Sequence, residues 1–387
     1  MSKAVLRTRF CDEVGIEFPV VLAGMGPVAG TGEPVATAEL VAAVSNAGGL
    51  GVMGGVGYGP DRLREEIRKV RSLTDKPFGV DLLLAQNFLM PRGAAALPSA
   101  PSREQLPKEH RDAIERIAEE LDIELVDSPG EAEPMGAWVP EGQSWAGAQM
   151  EVLLEEEVPV FASGLGTPGP FRDALKAQGV TILSLVGNVR AATQVAADGA
   201  DYIVAQGTEA GGHTGRIGTL ALLPQVMDAV APKPVIAAGG IASGRALAAV
   251  LACGAEAAWC GTAFLVANEA NQPALQKQRI LAAATEDTVV TRLYSGKTMR
   301  NIRNPLIEAW ERSGLTALPM GLQGALIEDL QHSIRLAGRE ELLMNAAGQT
   351  SGMLTSERPA GDILQDIVEE AAEILSAGLP GRVTCSA

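Results

Sequence analysis

Apolar residues along the chain fall into two alternating patterns, and the alternation sets the fold class. Short, nearly unbroken apolar runs read as strands buried on both faces: Phe18 to Ala23, Leu50 to Met53, Phe78 to Leu84, Val158 to Ala162, Thr181 to Leu185, Asp201 to Ala205, the run opening at Pro234, and Ala257 to Cys260. Between them the apolar positions recur at helical spacing, over Thr37 to Asn46, Pro60 to Leu73, Trp145 to Glu156, Pro170 to Gln178, Val189 to Asp198, Thr219 to Val230, Arg245 to Ala252 and Asn271 to Ala284. Pro60 suits the first turn of its helix, and Gly48-Gly49 reads as the cap that ends the helix before it. Eight strands, each followed by a helix, are therefore expected. Such βα units build either an open doubly wound sheet or a closed barrel, and eight of them favour the barrel: an α/β fold of the (β/α)8, or TIM, type.

The rhythm breaks twice. Ala85 to Gln143 carries proline-rich patches around a single helical stretch, Lys108 to Glu120, and reads as an insertion on the loop rim after the third strand. Beyond Thr285 the alternation ends: Thr291 to Asn304 reads as a loop, followed by helices up to Ser376. The expected organisation is a barrel over residues 1–284, with its rim insertion at 85–143, and a helical C-terminal extension over 285–387. That extension is expected to pack over a barrel end or against a second subunit, as in a homodimer.

Composition narrows the classes. A 47% hydrophobic content over 387 residues and a mean hydropathy of +0.13 are enough for a large core, while 44 glycines and only 4% aromatics suit helices packed closely on a parallel sheet. The net charge of −16, with no Lys/Arg cluster against it, argues against a nucleic-acid surface. Cys11, Cys253, Cys260 and Cys385 show neither metal-ligand nor disulfide spacing, so reduced thiols and no metal site are expected. With no apolar leader at the N-terminus and no run of about 18 apolar residues, the expected location is cytoplasmic, without a membrane span.

Candidate chemistry concentrates in the loops after the last three strands. Gln206 to Gly218, QGTEAGGHTGRIG, places His213 between a strand and a helix, where a barrel holds catalytic groups. PVIAAGGIASG ends a strand in Gly239-Gly240 before the helix from Arg245, and Ala257 to Cys260 ends in Gly261-Thr262. Two glycine turns in succession are what a barrel uses to bring backbone amides to a phosphate at a helix N-terminus. Glu209 reads as a carboxylate holding the glycine-rich loop, with an acid/base role as the alternative. Arg300 and Arg303 read as solvated or paired with carboxylates, against binding of an anionic substrate or a nicotinamide phosphate. His110 and His332 lie in polar helical contexts and receive no chemistry.

QGTEAGGHTGRIGT, PVIAAGGIASGRALAAVLACGAEAAWCGTAFLVANEA and AAVSNAGGLGVMGG resemble the nitronate monooxygenase family. They are also similar to flavin-containing enoyl-acyl-carrier-protein reductases and to an NADH:quinone reductase subgroup on the same scaffold. The likeness runs from the first strand to the eighth and on into MRNIRNPL and AAGQTSGML, but not across the insertion. It implies an FMN-containing barrel with the flavin phosphate at Gly239, Gly240, Gly261 and Thr262, and Ala23, Gly24 and Met25 near the isoalloxazine ring. It also implies a catalytic His213, with Gln206 and Gly212 approaching the flavin or lining its pocket. Two positions depart from the pattern. Asp81 stands where GVN is common, leaving open a flavin contact or a loop cap, and Ser163 stands where some subgroups carry Lys or another polar group. The implied activity is oxidation of small alkyl nitronates by O2, with NAD(P)H-driven reduction of a quinone or an enoyl or acyl thioester as the alternative.

Overall fold

The computed structural model describes residues 6–27, 33–85, 89–91, 105–128 and 142–383. Most of the proline-rich part of the insertion, and Cys385, lie outside them. Eight strands form one all-parallel sheet: β1 (Val20–Leu22), β2 (Gly51–Gly54), β3 (Phe78–Leu83), β4 (Val160–Gly164), β5 (Thr181–Val186), β6 (Tyr202–Gln206), β8 (Val235–Ala238) and β9 (Ala257–Cys260), in the order β1-β9-β8-β6-β5-β4-β3-β2. A parallel bridge between Val21 and Leu50 joins the two ends, so the sheet closes into the expected (β/α)8 barrel. The other three strands, β7 (Gly212–His213), β10 (Thr288–Thr291) and β11 (Met299–Ile302), make a small antiparallel sheet in the order β10-β11-β7.

The barrel is a packed core rather than a pore. Val21, Val52, Val160, Leu183, Tyr202, Ile236 and Trp259 fill its interior. A short helix that the apolar pattern does not announce, Arg9–Val14, plugs one end, with Phe10 edge-on to Tyr202 at 4.9 Å. The larger cluster between strands and outer helices draws Leu40, Leu63, Leu153, Leu222 and Leu247 into one layer.

Three expectations are corrected. The strand expected at Val158 to Ala162 is shifted to Val160–Gly164. Thr291 to Asn304 is not a loop: Thr288–Thr291 and Met299–Ile302 pair in antiparallel register, Thr291 opposite Met299. Helix Ala274–Ala282 does not take the eighth outer position. Helix Ala360–Glu373 packs against both Gly244–Ala252 and Ala38–Asn46, and buries Leu364, Ile367 and Val368 in the barrel's own core. Gly244 permits this approach, since a Cβ there would stand 2.4 Å from the Ala371 amide nitrogen.

The insertion helix Lys108–Glu120 joins Pro305–Ser313 and Leu322–Leu336 in a separate apolar cluster around Ile114, Ile117, Trp310, Ile327 and Leu330. His110 is buried there, its Nε2 at 3.0 Å from the Thr316 carbonyl. Among the described residues no helix is long and apolar enough to cross a membrane.

Candidate active site

One cavity of about 580 Å³ opens at the C-terminal ends of the barrel strands, within the roughly 300–1,000 Å³ common for ligand and cofactor sites. Ala23, Gly24, Met25, Asp81, Gln206, Gly212, His213, Gly239, Gly240, Gly261 and Thr262 all line it. Residues from β1, β3, β6, β8 and β9 thus converge although the chain separates them widely.

The His213 loop is braced from both sides. Gln206 donates from Nε2 to the His213 carbonyl at 2.6 Å, and β7 adds His213 opposite Met299 of β11. The β10–β11 turn then brings Ser295 Oγ to 2.9 Å from His213 Nε2. Among the described residues Nδ1 has no protein partner, so it is the ring nitrogen left for a ligand. Burial, and secondarily the Lys297 ammonium, push the imidazole down to about 4, so the ring is neutral at ordinary pH.

Glu209 does not face the cavity. Its carboxylate accepts from the Thr219 amide at 3.0 Å with both oxygens and from Thr219 Oγ1, capping helix Thr219–Val230. That is the loop-holding role rather than the acid/base one. The helix after the Gly239-Gly240 turn is likewise occupied: Glu370 Oε2 accepts from the Gly244 amide at 2.7 Å, and Ser243 caps Ala246. The expected anion site at that helix N-terminus is therefore filled by a carboxylate. The turn itself remains. Gly239 and Gly240 hold φ of +91° and +77°, a left-handed path that favours glycine, and the amides of Gly240 and Ile241 have no protein acceptor among the described residues. Thr262 Oγ1 accepts from Gly348 at 2.9 Å, which leaves its own hydrogen free to donate.

Asp81 reaches the cavity from β3, and burial alone pushes its carboxyl up to about 8. Ser163 is fully buried inside the barrel, 2.9 Å from Ser184 Oγ, and does not line the cavity. Arg300 is neither a ligand for anions nor solvated. It is buried, donating to the Thr208 carbonyl at 3.0 Å and to Thr288 Oγ1 at 3.1 Å, and so ties the hairpin to the His213 loop. Arg303 forms the surface pair with Glu311, at 2.7 Å.

Sequence reasoning missed Ser295, Lys297 and Thr298, on the hairpin turn, and Met344, Ala346 and Thr350, all but Ser295 lining the cavity. A signal existed: TVVT and MRNI are β-prone runs flanking RLYSGKT, whose Gly296 adopts φ +78°.

Fold and site together define a (β/α)8 barrel whose glycine turns and loop histidine face one cavity at the C-terminal ends of its strands. The family model for nitronate monooxygenase matches residues 7–370, and the chain belongs to that family. A protein of Mycobacterium tuberculosis named as a monooxygenase is 37% identical over 378 residues, covering 94% of this chain and 96% of that one. The solved nitroalkane oxidase of Streptomyces ansochromogenes aligns at 32% identity with a TM-score of 0.76, covering 95% of this chain and 99% of that one. FabK from Thermotoga maritima aligns at 31% with a TM-score of 0.73, covering 98% and 100%.

Proposed function

We propose that this chain binds FMN in the barrel cavity and oxidises small alkyl nitronates, such as propionate 3-nitronate, with O2 to the carbonyl compound and nitrite. The residues present fit FMN. The left-handed Gly239-Gly240 turn, with amides lacking protein acceptors among the described residues, and the Thr262 hydroxyl suit an anionic phosphate, and a Cβ at Gly212 would meet nothing within 4 Å. When bound, the flavin supplies the electron transfer and the reaction with oxygen that no side chain offers.

The observation that carries the reading is His213, neutral, held by Ser295 and beside Lys297 at the cavity. An imidazole that protonates only near pH 4 is a weak proton acceptor but a good neutral hydrogen-bond partner. It suits orienting a preformed nitronate anion, with the Lys297 charge drawing that anion in, better than stripping a proton from a neutral nitroalkane. The hairpin and the barrel mouth hold the substrate beside the ring and limit water.

The similarity to FabK favours a second reading, in which NADH or NADPH reduces the flavin and a quinone or an enoyl or acyl thioester reoxidises it. One anaerobic experiment separates the two. The FMN-loaded protein is mixed with propionate 3-nitronate, NADH or NADPH in separate cuvettes, and the flavin's visible absorption is followed. Rapid loss with nitronate alone is the expected result. Loss only with a nicotinamide overturns the monooxygenase reading.

A further inference from the structure

Asp81 is the one acidic residue lining the cavity among the described residues, and the protein does little to support its charge. Its Oδ1 is buried with no hydrogen-bond partner. Gly24 makes room for the side chain: a Cβ there would stand 2.2 Å from Asp81 Cβ and 2.8 Å from Oδ2. Since Oδ1 is shut off and the residue lines the cavity, Oδ2 is the oxygen the cavity reaches. Among the described residues the elements packed around it offer no counter-charge. β2 presents Gly54 opposite Asp81, β4 presents Ala162, and the segment after β1 presents Gly24 and Met25. Among the described residues the only other ionisable groups lining the cavity are His213 and Lys297, and neither contributes to the state of Asp81, whose sole perturbation is burial.

A carboxylate with one oxygen buried and unpaired, and no cation beside it, is costly, whereas the neutral carboxyl offers one donor and one acceptor, the same hydrogen-bond capacity as an amide edge. We propose that Asp81 meets the bound flavin as an un-ionised carboxyl, its hydrogen on Oδ2 and donated to an acceptor of the ligand, so that flavin binding in alkaline solution takes up a proton at this side chain. This rests on the FMN reading. The carboxyl, pushed up to about 8, is already protonated in the empty site at neutral pH and ionised above that, where binding must restore the proton.

The test is FMN binding to the apoprotein, followed by quenching of flavin fluorescence between about pH 7 and 9.5, for wild type, Asp81→Asn and Asp81→Leu. Wild-type affinity is expected to weaken by up to about tenfold per pH unit above about 8. Asp81→Asn, which carries the amide edge permanently, is expected to stay flat across the range and to match wild type within about threefold at pH 7. Asp81→Leu is expected to bind more weakly than Asp81→Asn throughout. Calorimetry at alkaline pH in two buffers of different ionisation heat should show uptake of about one proton by wild type and none by Asp81→Asn. Superimposable pH dependences for wild type and Asp81→Asn, with equal proton uptake, overturn the role of Asp81 while leaving FMN binding intact. Failure of every folded variant to bind FMN at any pH overturns the FMN reading itself and this inference with it.

Discussion

At neutral pH the three ionisable residues lining the cavity among the described residues carry a single formal charge. Burial holds the Asp81 carboxyl protonated up to about 8 and the His213 imidazole deprotonated down to about 4, leaving the Lys297 ammonium as the cation at the mouth. An uncompensated cation beside a neutral ring favours an anionic guest, and at an exposed mouth the effect is modest and weakened by salt. Lys297→Met is expected to raise KM for a nitronate by roughly tenfold at low ionic strength and to change kcat by less than about threefold, since the charge attracts substrate without touching the reacting bond. The same residues set a pH profile. A histidine whose pKa is lowered stays neutral until the pH falls to the new value, so kcat/KM should hold level below the usual histidine range and turn down only near pH 4. In Lys297→Met the acid limb moves upward but stops short of 6.5, because burial is the larger cause. Steady-state rates between pH 4 and 8 check both statements; an acid limb at 6.5 in the wild type would remove the neutral-ring argument.

The element that makes His213 usable is the β10–β11 hairpin, which comes from the C-terminal extension and adds β7 to its edge. Arg300 is its anchor, a buried guanidinium bonded to Thr208 in the His213 loop and Thr288 in β10. Arg300→Met keeps the apolar stem and removes both bonds. It is expected to cost about 1–3 kcal/mol in stability, from hydrogen bonds lost and acceptors stranded. It should also lower kcat/KM by about tenfold or more as Ser295 and Lys297 lose their position, with FMN affinity little changed because the glycine turns stay in place. Melting curves and steady-state rates on one preparation decide it; equal losses in FMN affinity and kcat/KM would mean that the hairpin shapes the flavin site instead. This element also marks how far the sequence could be read. The barrel strands were legible because each is a local apolar run, ended by glycine in all but β3, and the stretch from Gln206 to His213 because its glycines sit between a strand and a helix. The hairpin's two strands left a β-prone signal, but its placement over His213 was hidden because that pairing partner, β7, is two residues long and lies far back in the chain, a non-local contact with no periodicity of its own. Asp81, the glycine turns and the loop-holding Glu209 were visible by position, but the carboxylate of Glu370 on the helix after Gly239-Gly240 was not, since it acts across 126 residues.

At the scale of the whole molecule, the chain leaves the barrel after β9, builds the roof of the cavity and a separate helical cluster, and returns in Ala360–Glu373 to fill the outer position between Gly244–Ala252 and Ala38–Asn46. The last helix is therefore part of the barrel wall, and the barrel cannot be complete until nearly all of the chain is present. Leu364, Ile367, Val368 and Ala371 are buried there, and each larger side chain is worth roughly 1.5–3 kcal/mol of burial. Losing them together approaches the about 5–15 kcal/mol that a folded domain has to spare. A chain ending after Arg358 is thus expected to be unfolded or aggregated, even though it retains every residue lining the cavity. Gly244→Ala is the gentler form of the same test: its Cβ would stand 2.4 Å from the Ala371 nitrogen and 2.6 Å from the Ile367 carbonyl oxygen, so two helices must move apart. An overpacking cost of about 1–3 kcal/mol is expected, read as a melting temperature several degrees lower. FMN at about 100 times its Kd should restore about 2.7 kcal/mol of that loss, because the ligand binds only the closed barrel. If the truncated chain instead melts cooperatively and binds FMN with wild-type affinity, the barrel closes without its last helix, and Ala360–Glu373 is a covering layer rather than a wall.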